Sequence, residues 1–260
     1  MIIKTITLAI IQGITEFLPI SSSGHTIIFG EILGLSTDFL ILNIILHAGS
    51  LLAIILFFFK DIINLIRYFS YKKNPLIYHI IIATIPTAIM GLIVKKYYKI
   101  MENTIFVSIM LIITGLILIS TKFLAKNKEK NINFLSSLII GIVQGLATIP
   151  GISRSGSTIS VALILGLKRE ESFKFSFLIV IPAIIGAILI EIFEYINKLK
   201  NSQYITLNLD IYTYIIGFIV SFIVSILSLS LLKIVIKKEK IHLFAYYCFL
   251  VSVAGLIIGG

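Results

Sequence analysis

Charged residues are scarce in this chain. Asp, Glu, Lys and Arg make up 13% of its 260 residues, against roughly 25% in soluble domains. Hydrophobic residues make up 58% of the chain, and so little polar material cannot cover a water-soluble core. The composition therefore predicts an integral membrane protein. The net charge is +10, but the basic residues stand in short clusters between apolar runs instead of forming one basic face, which argues against a nucleic-acid partner.

Cysteine is nearly absent as well, and the N-terminal segment shows no signal-peptide cleavage site. Cys248 is the single cysteine, so the chain cannot form an internal disulfide, and its apolar surroundings favour an unreactive thiol. The chain opens with Lys4 and an apolar stretch, but Gln12 and Glu16 interrupt that stretch and no small-residue cleavage site follows. We expect the N-terminal segment to be retained.

Long apolar runs, in contrast, are abundant. Six segments reach the length of about 20 mostly apolar residues that a spanning helix needs. Each of them is bounded by charged residues, which favour the membrane surface. The six predicted transmembrane helices are residues 38–59, 76–95, 104–121, 172–194, 211–236 and 241–259.

Two further apolar segments, residues 2–18 and 133–149, are interrupted. They run into Pro19 and Pro150 and then into Ser/Gly clusters, and proline stops a helix because it lacks an N–H and clashes with the preceding turn. Irregular backbone at membrane depth needs protein or water around it, so we interpret both as re-entrant hairpins that return to their starting side. The alternative is that each is a tilted, kinked full span. The expected second arms are residues 24–34 and 156–166.

The two interruptions are copies of one motif. QGITEFLPISSSGHTI begins at Gln12 and QGLATIPGISRSGSTI begins at Gln144, a constant offset of 132 residues. Three predicted spans separate the copies, and three is odd, so two hairpins of this kind enter the membrane from opposite faces. Such inverted-topology repeats place their binding site near the midplane, where broken helices meet. We therefore predict a single all-α membrane domain, residues 1–260, built of repeats of about 1–131 and 132–260.

The distribution of basic residues predicts the orientation. Lys and Arg are more than twice as numerous on one predicted face as on the other, and the richer face is expected to be cytoplasmic. Both termini and the mouth of the first hairpin then lie on the external side.

The repeated motif is suited to binding anions. Serine is a preferred N-cap, and a helix N-terminus offers free N–H groups and a positive dipole end. Two such termini, with Arg154 on one of them, predict a site for a compact, multiply charged anion such as phosphate. Gln12 and Glu16 share one helix face, and His25 follows Ser22 by three residues.

These side chains suit nucleophilic displacement at phosphorus. Either Ser22 or His25 attacks, with His25 as the base in the version in which Ser22 attacks. Arg154 and the helix N–H groups stabilise the developing charge, while Glu16 handles protons or holds a metal. A carrier for a phosphorylated lipid, which binds without cleaving, is the alternative function. Elsewhere, His47 is interpreted as a helix-to-helix hydrogen-bonding residue.

The motifs resemble those of the undecaprenyl-pyrophosphate phosphatase family, also called BacA. QGITEFLPISSSGH resembles the family's (E/Q)xxxE motif with its serine and histidine, and PGISRSGST resembles its PGxSRSxxT motif. FKFSFLIVIPAIIGA is similar to the family segment that follows, and the resemblance runs along essentially the whole chain. It implies a multi-pass enzyme of the bacterial plasma membrane that removes the terminal phosphate of undecaprenyl diphosphate at the external face. It also implies bacitracin resistance, an inverted repeat with two re-entrant hairpins, and a divalent cation, Mg or Ca.

The resemblance also assigns roles by position. Ser22 matches the nucleophile, Glu16 the second acidic residue, His25 the catalytic histidine and Arg154 the arginine that binds the diphosphate. The matching hydroxyls expected around the substrate are Ser21, Ser23, Ser153, Ser155 and Thr158. Gln12 departs from the glutamate common in the family, so a metal at Glu16 would depend on substrate phosphates and water for its other ligands. The polyprenyl tail is expected to stay in the bilayer, and a homo-oligomer is left open.

Overall fold

The computed structural model describes residues 2–32, 40–68, 75–125, 129–200 and 210–259. In these ranges the regular structure is helical, apart from one isolated bridge between Lys130 and Leu167. The helices are α1 (Ile2–Thr15), α2 (Ser22–Ile32), α3 (Leu40–Phe57), α4 (Phe59–Arg67), α5 (Leu76–Met101), α6 (Thr104–Leu124), α7 (Phe134–Leu146), α8 (Arg154–Ile164), α9 (Arg169–Lys200), α10 (Ile211–Lys237) and α11 (Phe244–Gly259), the last preceded by a 3-10 turn, Ile241–Leu243.

Five helices are long and apolar enough to cross a membrane, and a sixth is formed if one bent pair is counted as a span. The five are α5, α6, α9, α10 and α11 with its 3-10 turn. The predicted span 38–59 corresponds to α3 and the start of α4, which are bent by 72° around Phe58; residues 38 and 39 lie outside the described residues. The prediction of an all-α membrane protein is therefore confirmed, with the first span less regular than expected.

The two predicted interruptions are present. The apolar helices α1 and α7 have 14 and 13 residues, shorter than the about 20 needed to cross the hydrocarbon core. Each ends a few residues before its proline, and the next helix begins at Ser22 or Arg154, two residues earlier than predicted. Pro86 and Pro182, in contrast, lie inside α5 and α9 without ending them.

Small residues let α1 and α7 approach their neighbours closely. The helix α1 packs against α10, and α7 packs against α5. A Cβ added at Gly13 would lie 3.0 Å from the carbonyl oxygen of Ser221, and one added at Gly145 would lie 3.1 Å from that of Pro86. Gly13 and Gly145 are equivalent positions of the repeated motif, so both copies use the same small residue to seat a helix on a long neighbour.

Aromatic packing fixes the end of α1 against α9. The Phe17 side chain is fully buried, and its ring centroid lies 5.7 Å from that of Phe177. The Phe177 ring also contacts Phe58, at 6.1 Å, and Phe173, at 5.0 Å. This cluster joins the break after α1, the bend between α3 and α4, and the first turns of α9, so it holds the polar residues that follow Phe17 in place.

Candidate active site

Two non-helical breaks meet inside the bundle. We call residues 16–21, between α1 and α2, the first elbow, and residues 147–153, between α7 and α8, the second elbow. At the end of each, Ser21 or Ser153 accepts a hydrogen bond from the N–H of the glycine three residues on, at 3.3 and 3.1 Å. The hydroxyls of Ser23 and Ser155 each lie 3.4 Å from that capping oxygen. The two helix N-termini are therefore capped in the same way.

The contacts between the elbows are reciprocal. A Cβ added at Gly24 would lie 3.3 Å from Cα of Gly151, and one added at Gly156 would lie 3.1 Å from Cβ of Pro19. The motif offset of 132 residues carries Gly24 to Gly156 and Pro19 to Gly151, so each contact is the counterpart of the other. The N-termini of α2 and α8 consequently each face the opposite elbow.

The backbone turns differently in the two elbows. Gly151 takes the left-handed conformation in the second elbow, with φ +92°, and the cap Ser153 is relaxed, with φ −73°. The hydroxyl of Thr114 braces this turn by donating to the Gly151 carbonyl at 2.9 Å and accepting from the Ser153 N–H at 3.0 Å. The first elbow instead places Ser21 itself in the left-handed region, with φ +70°, which is unfavourable for a residue with a Cβ.

Four polar side chains surround the buried carboxylate of Glu16. We call Gln12, Glu16, Ser22, His47 and Arg154 the Glu16 cluster. An Arg154 Nη lies 3.7 Å from one Glu16 oxygen, and His47 Nε2 lies 3.9 Å from the other. Gln12 donates to that second oxygen from its Nε2 at 3.0 Å, and the Ser22 side chain interacts electrostatically with the carboxylate. The structure thus brings Ser22, Glu16 and Arg154 together across the two elbows.

His25 lies outside this cluster. Its Nδ1 is 2.8 Å from the Ser21 carbonyl oxygen, and its Nε2 is 2.9 Å from the Tyr247 hydroxyl. A carbonyl only accepts, so Nδ1 donates to it, and Nε2 accepts from Tyr247. Both ring nitrogens are engaged, and the ring is only 1% exposed. The arrangement links the first elbow to α11, where Cys248 Sγ also lies 3.8 Å from the Pro19 carbonyl, and it leaves neither nitrogen for the Ser22 hydroxyl.

The predicted substrate-binding residues of the second motif copy lie at the end of the second elbow and in α8. Ser153 ends the second elbow, and Ser155, in the first turn of α8, donates to the Leu18 carbonyl of the first elbow at 3.3 Å. The Thr158 hydroxyl is buried and donates to the Arg154 carbonyl at 2.9 Å, so it braces the turn that carries the guanidinium. Gln144, the counterpart of Gln12, donates instead to two other helices: to the Thr87 hydroxyl on α5 and to the Ile179 carbonyl on α9.

The donor atoms fit a divalent cation only if the substrate shares it. Among the residues that the structure describes, no group of three or more His, Cys, Asp or Glu side chains could hold a metal ion. Glu16, with the amide oxygen of Gln12, offers the oxygen ligands that Mg and Ca prefer, but Arg154 and His47 already flank that carboxylate. An ion here would take its remaining ligands from phosphate oxygens and water.

Sequence reasoning missed the neighbours that other helices bring to the site. His47 on α3 reaches Glu16, although its sequence context favoured hydrogen bonding between helices. Glu191 on α9 interacts electrostatically with His47 and Glu16, and its buried Oε2 has no hydrogen-bond partner among the described residues. A carboxylate inside an apolar span is itself a signal of function, and Glu191 falls within the predicted span 172–194. Nothing in the local sequence, in contrast, pairs Tyr247 with His25.

These features define a class of protein: a multi-pass helical membrane protein whose two interrupted helices present a carboxylate, a hydroxyl and an arginine to one interior position. Comparison with known proteins is more specific. The chain belongs to the family described as bacitracin resistance protein BacA, whose model matches residues 5–254.

Curated relatives match along nearly their whole length. A protein of Methanosphaera stadtmanae is 40% identical, with 99% of this chain and 98% of the relative aligned. One of Halothermothrix orenii is 37% identical, with 100% and 98% aligned. One of Buchnera aphidicola is 40% identical, with 98% and 96% aligned. Each of the three is named undecaprenyl-diphosphatase.

Proposed function

We propose that this protein is a membrane phosphatase that removes the terminal phosphate of undecaprenyl diphosphate and so regenerates undecaprenyl phosphate, the carrier lipid of cell-wall synthesis. The observation that carries the proposal is the meeting of Arg154, Glu16 and Ser22 between two capped helix N-termini. A pyrophosphate group is the kind of anion that such termini and an arginine bind. The name shared by relatives at 36–40% identity supports the same substrate.

We further propose that both interrupted segments are re-entrant hairpins of one inverted repeat. The reciprocal contacts of Gly24 and Gly156 support a two-fold relation between the elbows. The pairing of α1 with α10 repeats in that of α7 with α5, as expected if α5 and α10 are equivalent in two halves. An inverted repeat of this kind brings the tips of the two hairpins together near the membrane midplane.

The substrate lies across the boundary between lipid and polar cavity in this proposal. The prenyl tail stays in the bilayer, and the diphosphate reaches the elbows from the external face of the bacterial plasma membrane, with both termini on that side. The surplus of Lys and Arg on the opposite face supports this orientation. Sequestration of the same diphosphate by bacitracin would make the enzyme's activity protective, which fits the family description.

The geometry supports Ser22 as the nucleophile. Its Oγ attacks the terminal phosphorus, forms an Oγ–P bond and breaks the bond from that phosphorus to the bridging oxygen, which leaves with undecaprenyl phosphate. Glu16, within reach of Ser22, takes the hydroxyl proton. Water then hydrolyses the phosphoserine. His25 as base or nucleophile would first have to leave Tyr247 or the Ser21 carbonyl, so we assign it to holding the first elbow.

Arg154 and the two helix N-termini stabilise the charge of the transition state. Arg154 is the first residue of α8, and its guanidinium lies beside Glu16. Phosphate oxygens bound next to Glu16 would therefore be within its reach. We propose that Glu16 and the amide oxygen of Gln12 would hold a divalent cation together with phosphate oxygens, and that the cation would neutralise phosphate charge.

The direct experiment measures inorganic phosphate released by the purified protein in detergent from undecaprenyl diphosphate, with and without EDTA. Steady release that EDTA suppresses and added Mg restores supports both the phosphatase and the cation. Substrate binding without release would favour the lipid-carrier alternative, which the paired broken helices also suit.

A further inference from the structure

We infer that Thr114 of α6 is a positioning residue for the reaction, because its hydroxyl holds the second elbow in the shape that presents Arg154 to the substrate. The inference rests on the proposed phosphatase function. The Thr114 side chain is buried, and its Oγ1 donates to the Gly151 carbonyl at 2.9 Å and accepts from the Ser153 N–H at 3.0 Å. Since a hydroxyl has one hydrogen to donate, these two bonds fix its direction.

The turn that Thr114 spans depends on support from outside the elbow. Gly151 has a φ of +92°, a conformation that glycine adopts easily and also leaves easily, because it has no Cβ. Gly151 and Ser153 are both buried, so without the Thr114 hydroxyl a carbonyl and an N–H would lose their partner inside the protein. The hydroxyl therefore stabilises this turn against the others that the glycine allows.

The face of α6 that carries Thr114 lies directly against the elbow. A Cβ added at Gly151 would lie 2.5 Å from the Val107 carbonyl oxygen and 2.6 Å from Cβ of Met110. Val107, Met110 and Thr114 follow one another along one helix face. The two hydrogen bonds are thus part of a close backbone contact between α6 and the second elbow.

Other hydroxyls of α6 bond differently. Ser108, Ser120 and Thr121 donate to carbonyls of their own helix, at 2.7, 2.7 and 2.6 Å. Such local bonds are the common alternative for a hydroxyl within a helix. Thr114 instead donates to a carbonyl 37 residues further along the chain, so its hydroxyl serves the elbow and not α6.

The first elbow has a weaker version of the same contact. Pro19 is equivalent to Gly151 by the offset of 132 residues, and its carbonyl accepts from Sγ of Cys248 on α11 at 3.8 Å. The helix α11 packs against α6. A thiol is a weak donor, so the stronger contact belongs to the elbow that leads into Arg154.

The path from Thr114 to the reacting groups is short. Ser153 caps α8 by accepting from the Gly156 N–H at 3.1 Å, and Arg154 is the next residue. Its guanidinium lies 3.7 Å from Glu16. A shift at Ser153 would therefore move both the helix N-terminus and the guanidinium relative to the phosphate, and a misplacement of about 1 Å can cost about 10²-fold in rate.

Substitutions at Thr114 separate the hydroxyl from the shape of the side chain. Thr114→Val removes the hydroxyl, and kcat for phosphate release from undecaprenyl diphosphate should fall about 10- to 100-fold. Thr114→Ser keeps the hydroxyl and should recover most of that loss. The matched control is Thr121→Val, which removes a buried hydroxyl that bonds its own helix and should keep turnover near wild type. Near-normal kcat in Thr114→Val would overturn the inference.

A double-mutant cycle tests whether Thr114 acts through the guanidinium. In an Arg154→Ala background the group to be positioned is gone, so Thr114→Val should cost only about two- to three-fold in kcat. An equal fold-loss in both backgrounds would mean that the substitution damages the protein generally, which would also overturn the inference.

Hydrogen exchange tests the same contact without any reaction. Amide exchange in the peptide covering residues 147–158 should be faster in Thr114→Val than in the wild type or Thr121→Val, because the Ser153 N–H loses its acceptor. Unchanged exchange would contradict the inference in an active or an inactive protein. If Thr114→Val does not fold, as judged by size-exclusion chromatography, Thr114→Cys replaces it and should show smaller effects in the same direction. A wild-type protein that releases no phosphate would instead refute the proposed function, and the exchange rates would still decide whether Thr114 holds the elbow.

Discussion

The first and second elbows share their helix breaks, serine caps and glycine contacts, but they carry different reactive side chains. Both follow a Gln-Gly pair and end in a serine cap, and the helix after each elbow carries a glycine, Gly24 or Gly156, that packs on the other elbow. The reactive groups differ at three equivalent positions: the first elbow and its helix carry Glu16, Ser22 and His25 where the second carry Thr148, Arg154 and Ser157. The repeat thus keeps the parts that break and cap a helix and divides the reactive groups between its copies.

The division has a physical reason. A guanidinium one position after the cap of α8 can reach across to a carboxylate that precedes α2, and the two charges compensate each other inside the bundle. Had both copies carried arginine, two cations would face each other in a low-dielectric interior. The hydroxyl of Thr148, which stands at the position equivalent to Glu16, donates to the Gly145 carbonyl near the end of α7.

Replacing the proposed nucleophile, Ser22, should cause the largest loss of phosphatase activity. Ser22→Ala leaves the frame intact but removes the attacking oxygen, and losing a covalent nucleophile costs up to about 10⁶ in kcat in a serine protease. We expect a loss of at least about 10³-fold in phosphate release. In the wild-type protein, rapid acid quench and mass spectrometry should find phosphate on Ser22. Phosphate on His25 would contradict the assignment.

The second elbow's contribution should be almost as large. Arg154→Ala removes charge stabilisation that peaks in the transition state, so kcat should fall about 10²- to 10³-fold. Arg154→Lys should recover only part of this, because lysine is a point charge without the planar fork.

The control for this substitution is Lys122→Ala, which removes an exposed cation at the end of α6 and should leave turnover near wild type. Near-normal turnover of Arg154→Ala would mean that the guanidinium does not bind the reacting phosphate.

The shared frame predicts matched effects on stability. Gly13→Ala and Gly145→Ala each add a methyl group 2.8 and 2.6 Å from the Cβ of a neighbouring helix, at Val224 and Met90. Such overpacking should destabilise both variants, by about 1–3 kcal/mol. Gly186→Ala in α9 is the control, since nothing lies within 4 Å of the added carbon. Unfolding midpoints in detergent measure the three, and unequal losses at Gly13 and Gly145 would show that the helix pairs are not equivalent.

The sequence predicted the features that residues close together in the chain determine: the helix breaks, the caps and the shared helix face. Pro19 and Pro150 mark the breaks, the serines mark the caps, and the Gln12–Glu16 spacing places both on one helix face, as their 3.0 Å hydrogen bond confirms. The bend at Phe58 was not predictable, because no proline or glycine marks it and aromatic packing against α9 accompanies it. The partners of the two histidines were missed for the same reason: His47 and Tyr247 reach the elbow through helix packing, which spacing along the chain does not encode.

The smallest expected effect tests the backbone difference between the elbows. Ser21 holds a left-handed φ of +70°, which costs a residue with a Cβ about 1 kcal/mol or more, whereas Ser153 holds φ −73° without that cost. Replacing a serine cap by glycine loses only a few tenths of a kcal/mol at the cap itself. Ser21→Gly should therefore leave stability unchanged or raise it by up to about 1 kcal/mol, because relief of strain offsets the lost cap.

Ser153→Gly is the matched variant, with no strain to relieve and a backbone that gains freedom in the unfolded chain. It should lower stability by about 0.5–1 kcal/mol, so the two unfolding midpoints should move in opposite directions or differ clearly in size. Equal losses would mean that the first elbow stores no strain at Ser21. A gain confined to Ser21→Gly, together with reduced phosphate release, would show that the first elbow keeps an unfavourable backbone because the serine there serves the reaction.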